Sequence, residues 1–136
     1  MAMPVSDPAG HVTLEIPAQA EHVAVLRAAS AVIASRLGFS LDDIDDLRIL
    51  IDEAASVLLS SGANGRIRCE IDADARDAAI HFQLFGTLQP GEQPHGEGFA
   101  WSIMNALAHE VSIGMSGDEH VISVTRSSGP VLDGAH

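Results

Sequence analysis

The stretch that most constrains this chain is Ser40 to Ser60, SLDDIDDLRILIDEAASVLLS, because one clear period runs through all of it. Apolar residues recur there at steps of three and four, which predicts one buried face of an α-helix. The members of that face are Ile44, Leu47, Ile51, Ala54, Ala55 and Leu58. Ser40 suits the N-cap, and Asp43 follows at the spacing of a capping box. We therefore expect a long helix that packs the rest of the chain against its apolar face.

The same helix carries one candidate catalytic residue, Glu53. At about 100° per residue, Glu53 falls at the edge of the apolar face. A carboxylate that faces a partly buried pocket from there can act as a base. The alternative is a solvated acid at the rim of the core, which is the commoner position for a glutamate. The sequence leaves both interpretations open.

A second feature of this helix is its acidic edge, formed by Asp42, Asp45, Asp46 and Asp52. These four carboxylates cannot all enter a core, because an unpaired buried carboxylate is too costly. We expect some of them to face solvent or a basic partner, and they are our candidates for partner binding. The alternative is that the acids only stabilise the positive end of the helix dipole.

Composition limits the class of protein. A length of 136 residues allows one domain with one core, and the net charge of −12, with seven arginines as the only basic residues besides histidine, excludes direct nucleic-acid binding. An acidic surface suits a basic protein partner, although the charge also serves solubility alone. There is no apolar run of about 18 residues to span a membrane. The single cysteine, Cys69, and the absence of a visible secretory signal predict a cytoplasmic protein.

The remaining patterns predict an alternation of strands and helices. Apolar and polar residues alternate in five predicted strands: His11 to Pro17, Arg66 to Asp72, Ala78 to Phe85, Glu110 to Met115 and Glu119 to Arg126. Two further helices are predicted, Gln19 to Leu37 and Phe99 to Ala108. Strands that pair as hairpins while helices cluster favour an α+β two-layer sandwich. We expect one domain over residues 11–126, with a disordered lead over 1–10 and a loose tail over 127–136.

A glycine-rich loop precedes the last helix. Gly86 to Gly98, GTLQPGEQPHGEG, has four glycines and two prolines and cannot form regular structure. Such a long loop is usually functional or mobile. Gly96 and Gly98 stand at the helix start, where free amides attract phosphate, although Glu97 would repel it. The alternative is a flexible connection. The seven histidines show no spacing typical of a metal site.

Two segments together resemble a known family. LDDIDDLRILIDEAAS resembles the N box of histidine-kinase-like ATPase domains, in the style of RsbW-type anti-sigma factors, which are small serine kinases. GEGFAWSIMNALAHEVSI resembles their second glycine box, the helix after it and the next strand. The resemblance covers roughly residues 11–126. It implies the Bergerat-type sandwich, with three helices on a mixed, largely antiparallel sheet.

The resemblance also assigns site residues. Glu53 matches the glutamate that positions or activates the attacking hydroxyl, and Gly86, Gly96 and Gly98 match a remnant of the nucleotide loop. Two anchors are missing: Val57 stands where the family has a magnesium-binding asparagine, and Leu84 stands where it has an adenine-binding aspartate. Valine cannot coordinate magnesium, which demands oxygen ligands. We therefore expect no metal site and weak or absent binding of ATP and magnesium.

The function implied by the resemblance is that of a bacterial anti-sigma regulator in a stress response. Such a protein sequesters a sigma factor and releases it when an antagonist of the STAS type binds. One alternative is an active serine kinase that phosphorylates the STAS protein, with Glu53 as base and Asp52 or Ser56 as metal ligand. A second alternative is a non-catalytic ligand-binding or structural domain. A homodimer is left open.

Overall fold

The computed structural model describes residues 10–94 and 98–131. Its five strands are β1 (His11–Pro17), β2 (Asn64–Asp74), β3 (Ala79–Thr87), β4 (Glu110–Ser116) and β5 (Glu119–Ser127). Its three α-helices are α1 (Val23–Arg36), α2 (Leu41–Ser60) and α3 (Phe99–Leu107), and a short 3-10 turn, Ala20–His22, precedes α1. None of these helices is both long enough and apolar enough to cross a bilayer.

Helix α2 forms as its sequence predicts. The Ser40 hydroxyl accepts a hydrogen bond from the backbone N–H of Asp43 at 3.1 Å, and the Asp43 carboxylate accepts one from the backbone N–H of Ser40 at 3.3 Å. This reciprocal capping box satisfies two amides that the helix leaves free. The predicted apolar face is buried against the sheet and the other helices, and Leu50 and Val57 widen it.

The sheet carries the helices on one face. Its strand order is β1-β2-β3-β5-β4, and neighbouring strands pair antiparallel throughout. Alternate residues of the central strands enter the core, among them Ile67, Cys69, Ile71, Ile80 and Phe82. The predicted α+β two-layer sandwich is confirmed. Every pair of neighbouring strands in the described residues runs antiparallel. The sheet is therefore antiparallel, whereas the resemblance implies a mixed one.

Several predicted boundaries differ from the structure by a few residues. Strand β2, predicted from Arg66, begins at Asn64, and Gly65, at a φ of +74°, lies in an irregularity of its pairing with β3 between Asn64 and Ile67. The predicted tail begins at Ser127, yet Ser127 belongs to β5, and the backbone N–H of Gly129 donates to Asp43 at 3.1 Å. Residues 1–9 and 132–136 of the predicted lead and tail lie outside the described residues.

Candidate functional site

Glu53, the candidate base, lies half-buried on α2 at the edge of its apolar face, one turn from the buried Leu50 and Val57. Within residues 10–94 and 98–131, no hydrogen bond or ion pair involves its carboxylate. The side chain is thus accessible to a ligand or a protein partner from this face. No orienting group holds it in the way that a catalytic base is usually held.

Val57 and Leu84, at the positions of the two missing anchors, belong to the hydrophobic core. Val57 is 3% exposed and Leu84 is fully buried. Leu84 lies on β3 between Cys69 of β2 and Ile122 of β5, both of which are themselves fully buried. These two positions therefore supply packing and no polar atom to any ligand.

The predicted glycine loop divides into parts with different roles. Gly86 lies within β3, paired with Ile67 and His120, and a Cβ there would meet Leu58 and Ala63 at 3.5 Å, an ordinary contact distance. Gly98 is the residue before α3, with a φ of +101° that favours glycine. Gly96, the third predicted loop glycine, lies outside the described residues. Gly86 therefore lies in a strand, and Gly98 lies immediately before α3.

The first half of this loop folds back onto the end of α2. Leu88 is buried in the core, and the Asn64 side-chain amide donates to the carbonyl of Thr87 at 3.2 Å. Gln89 packs over Gly62, with its Cγ 3.5 Å from where a Cβ of that glycine would lie. These contacts cover the C-terminal end of α2 with protein atoms in the region where the resemblance predicts a nucleotide.

The four predicted partner-binding acids divide into two kinds. Asp42 and Asp45 are exposed, and Asp45 lies 3.5 Å from Arg48. Asp46 and Asp52 are half-buried in ion pairs with Arg126 and Arg27, respectively. Among the described residues, Asp42 and Glu53 have no ion pair to break before they meet a partner, and the Asp45–Arg48 pair is an exposed surface pair that is worth little.

A groove between α1 and α2 holds the two alternative metal ligands, Asp52 and Ser56. Its volume is about 550 Å³, and its other lining residues are Ala20, Val23, Arg27, Ala55, Leu59 and Ser60. Asp52 accepts a hydrogen bond from the Arg27 guanidinium, which occupies the carboxylate that a metal would need. Among the described residues, no three acidic, histidine or cysteine side chains converge as a metal site would require.

Sequence analysis does not predict the polar cluster around Arg126. The guanidinium is 2% exposed, and its Nη2 donates to Asp43 at 2.8 Å and to Asp46 at 3.1 Å. Its Nη1 donates to the carbonyl of Leu107 at 3.1 Å, at the end of α3. The cluster therefore ties β5 to the start of α2 and to α3. Periodicity could not reveal it, because the paired residues lie 80 or more positions apart.

Asp43 is charged within this cluster. Burial opposes its ionisation, but hydrogen bonds from Gly129 and Ser40 and the charge of Arg126 outweigh that cost, so the pKa of Asp43 lies below its usual value. The sequence does contain one signal of this cluster. The number of aspartates at the start of α2 exceeds what capping alone requires.

No family model matches the chain, but parts of it are similar to known proteins. The serine-protein kinases RsbW of Bacillus thuringiensis (strain Al Hakam) and Bacillus cereus (strain B4264) are each 47% identical to it over 45 residues. That stretch is 33% of this chain and only 28% of each relative, so less than a third of their length is matched.

A solved structure extends the likeness to most of the domain. The RsbU and RsbW domains of Rv1364c from Mycobacterium tuberculosis align with a TM-score of 0.64 and 16% identity, over 89% of this chain and 35% of that one. The chain therefore shares its fold with that structure, and the two comparisons together support a relationship to RsbW proteins.

Proposed function

We propose that this chain is a non-catalytic regulatory domain of the RsbW type, which binds a sigma factor and yields it to a STAS-type antagonist. The observation that carries the proposal is the burial of Val57 and Leu84 in the core of an RsbW-like fold. The scaffold of a nucleotide-binding kinase is present, while the positions that should hold magnesium and adenine are apolar. What remains for function is the surface.

The loss of these anchors should weaken nucleotide binding strongly. A buried hydrogen bond left unmade costs about 1–3 kcal/mol, so the adenine anchor alone corresponds to about one or two orders of magnitude in affinity. Without a side-chain oxygen at position 57 the metal loses a ligand as well, and phosphoryl transfer depends on metal-positioned phosphates. A kinase built this way would be severely impaired.

The outward face of α2 is the surface that best suits a protein partner. It presents the exposed carboxylates of Asp42 and Asp45, and Glu53 farther along the helix. Ile49, which is partly exposed, lies among these acids. An apolar residue surrounded by charge is typical of a docking surface, and the negative potential of a chain with net charge −12 would accelerate association with a basic partner.

Affinity capture from the native cell tests the proposal, with the full chain as bait and mass spectrometry as readout. We expect a sigma factor or a STAS protein to be recovered, and recovery to fall sharply with Asp42→Arg/Asp45→Arg. The matched control is Asp77→Arg/Asp118→Arg, which makes the same charge change at two exposed acids in the β2–β3 and β4–β5 turns. Capture of neither class of protein by a folded bait would contradict the proposal.

A second function, ATP-dependent serine kinase, is favoured by the accessible carboxylate of Glu53 and by Asp52 and Ser56 on the neighbouring groove. Incubation with labelled ATP and the captured STAS protein separates the two. We expect no transfer of label. Transfer that disappears in the Glu53→Ala variant would establish the kinase instead.

A further inference from the structure

The end of β5 and the residues after it, 127–131, form a strap that is attached to the start of α2. The backbone N–H of Ser127 donates to the Nδ1 atom of His109 at 3.1 Å. The backbone N–H of Gly129 donates to the carboxylate of Asp43 at 3.1 Å. The strap is therefore held by two side chains that both titrate, an imidazole and a carboxylate.

His109 takes the place of a neighbouring strand at the end of β5. Strand β4 begins at Glu110, opposite Thr125, so in the described part of the chain no strand residue lies opposite Ser127 on that side. The backbone N–H of His109 donates to the carbonyl of Thr125 at 2.8 Å, and the imidazole accepts from Ser127 instead. The side chain thus satisfies an amide that the sheet leaves free.

Gly129 sets the direction of the strap. Its φ of +92° lies in the left-handed region that favours glycine, and in this conformation its N–H reaches Asp43. The second oxygen of the same carboxylate accepts a hydrogen bond from Arg126 at 2.8 Å, and Arg126 also holds Asp46. The strap therefore ends on the buried ion-pair cluster at the start of α2.

The contact between Ser127 and His109 depends on the protonation state of the imidazole. A ring nitrogen accepts a hydrogen bond only while it carries no proton, whereas both nitrogens of the imidazolium are donors. Protonation at Nδ1 would therefore place two N–H groups against each other across 3.1 Å. His109 is exposed at the surface, so protons reach it from solvent.

Charged and titratable groups from several elements surround this imidazole. Partial burial of the ring, and next the charge of Arg126 on β5, disfavour the imidazolium, while Asp43 on α2 favours it. The first two prevail, so the pKa of His109 lies below its usual 6.5. Glu110 on β4 and His81 on β3 line the same cavity as His109.

We propose that the strap is closed on the start of α2 while His109 is neutral and opens when His109 is protonated. A group whose pKa is lowered in the closed state stabilises that state above its ordinary value. The contribution of His109 is therefore complete above about pH 6.5 and is lost as the pH falls below it. Opening releases Asp43 from the N–H of Gly129. The proposal rests on the contacts of the strap and does not depend on the proposed function.

Amide hydrogen exchange of the full chain, followed residue by residue by NMR, tests the proposal. From pH 7.5 to pH 5, we expect the protection factor of the Gly129 amide, taken against the intrinsic rate at each pH, to fall about tenfold. The amides of Ile71 and Phe82, on buried strands, should stay protected. His109→Gln supplies a neutral acceptor that does not titrate and should abolish the fall. His22→Gln, on the 3-10 turn, is the matched control and should keep it.

A second variant opens the strap without changing the imidazole. Gly129→Ala has space for its Cβ but strains the backbone at a φ of +92°, so position 129 should already exchange freely at pH 7.5. Three results would overturn the proposal: wild-type protection at Gly129 that does not change with pH, an equal fall in His109→Gln, or an equal fall at Ile71 and Phe82, which would indicate global unfolding.

Discussion

The two ends of α2 are fixed to the sheet by opposite kinds of interaction. At the start, the buried guanidinium of Arg126 joins Asp43 and Asp46, and a capping box closes the first turn. At the far end, Val57 and Leu58 belong to the same buried apolar cluster as Leu84 and Leu88, and the buried hydroxyl of the C-cap residue Ser61 has no hydrogen-bond partner among the described residues. The first end is rich in buried polar groups whose roles are structural. The second end is apolar where a nucleotide-binding relative would need polar groups.

The two ends of α2 therefore differ in the interactions that hold them, with ion pairs and hydrogen bonds at the start and apolar packing at the far end. A charged cluster inside a domain holds elements in a defined arrangement but contributes little net stability over an apolar equivalent. An apolar core fixes the arrangement of its elements through close packing. Four changes test this contrast.

The largest effect should come from restoring the missing anchors. Leu84→Asp with Val57→Asn puts a carboxylate and an amide into positions that are 0% and 3% exposed. An unpaired buried charge costs several kcal/mol, so we expect a loss of about 5 kcal/mol or more, comparable to the whole stability of a small domain. Urea denaturation with circular dichroism measures it.

One single variant serves as the control for this pair. Leu84→Met keeps the site apolar and should cost less than about 1.5 kcal/mol. A double variant that is as stable as the wild type would show that these positions line a vacant site and not a core.

Removal of the charged cluster should have the next largest effect. Arg126→Ala leaves the carboxylates of Asp43 and Asp46 without their cation, and breaking a buried pair in this way costs about 3–5 kcal/mol. Arg27→Ala is the matched control, since Arg27 pairs with the half-exposed Asp52 and such a pair is worth about 0–1 kcal/mol. Equal losses of unfolding free energy in the two variants would contradict the distinction between a buried and a half-exposed ion pair.

Acidification should lower the stability that the region around Arg126 gives to the fold. Burial and the nearby charge of Arg126 lower the pKa of His109, whose Nδ1 accepts a hydrogen bond from the backbone N–H of Ser127 at 3.1 Å. A group with a lowered folded pKa stabilises the fold above its unfolded value, so this contribution is lost as the pH falls below about 6.5. Asp43 acts in the same direction at lower pH, below its usual 3.8.

The expected result is a melting temperature that decreases from pH 7.5 to pH 5, with a flatter profile in His109→Gln. His22→Gln, on the 3-10 turn outside the cluster, should keep the wild-type slope. His11 acts in the opposite direction, because the hydrogen bond that its ring donates to the Asp72 carboxylate raises its pKa, but it is exposed and should contribute little. A His109→Gln profile as steep as the wild type would remove His109 as the cause.

The smallest effect should come from the helix cap. Ser40→Ala removes the hydroxyl that accepts a hydrogen bond from the backbone N–H of Asp43. Its loss should lower the free energy of unfolding by about 1 kcal/mol. Ser35→Ala, at an exposed position near the end of α1, should change the unfolding free energy by less than about 0.5 kcal/mol. A larger loss at Ser35 than at Ser40 would mean that the capping box does not stabilise α2.

Local patterns were sufficient to predict most of the fold. The three- and four-residue period of α2, its capping box and the alternation in β3 depend on neighbours in sequence, so they could be read directly. The pairing of Arg126 with Asp43 could not, because it depends on a tertiary contact across 83 positions. The start of β2 at Asn64, ahead of the alternation that begins at Arg66, could not be predicted either, because a bulge and a turn favour the same residues.

The candidate site was harder to predict than the fold. The sequence marks Val57 and Leu84 as apolar, but only the structure shows both inside the core. Nor could it separate Asp42, which is exposed, from Asp46, which is held by Arg126. Whether a polar helix residue serves a partner or an internal ion pair is decided by elements distant in the chain.

The most direct test of the proposed loss of nucleotide binding is a titration of the wild-type chain with Mg-ATP, in which calorimetry measures the binding. Trp101, the single tryptophan, lies in α3 next to the loop, so its fluorescence gives a second readout. With apolar residues at both anchor positions, we expect no saturable binding below about 1 mM. Saturable binding at micromolar concentrations, seen by both methods, would contradict the loss of the site and favour the kinase.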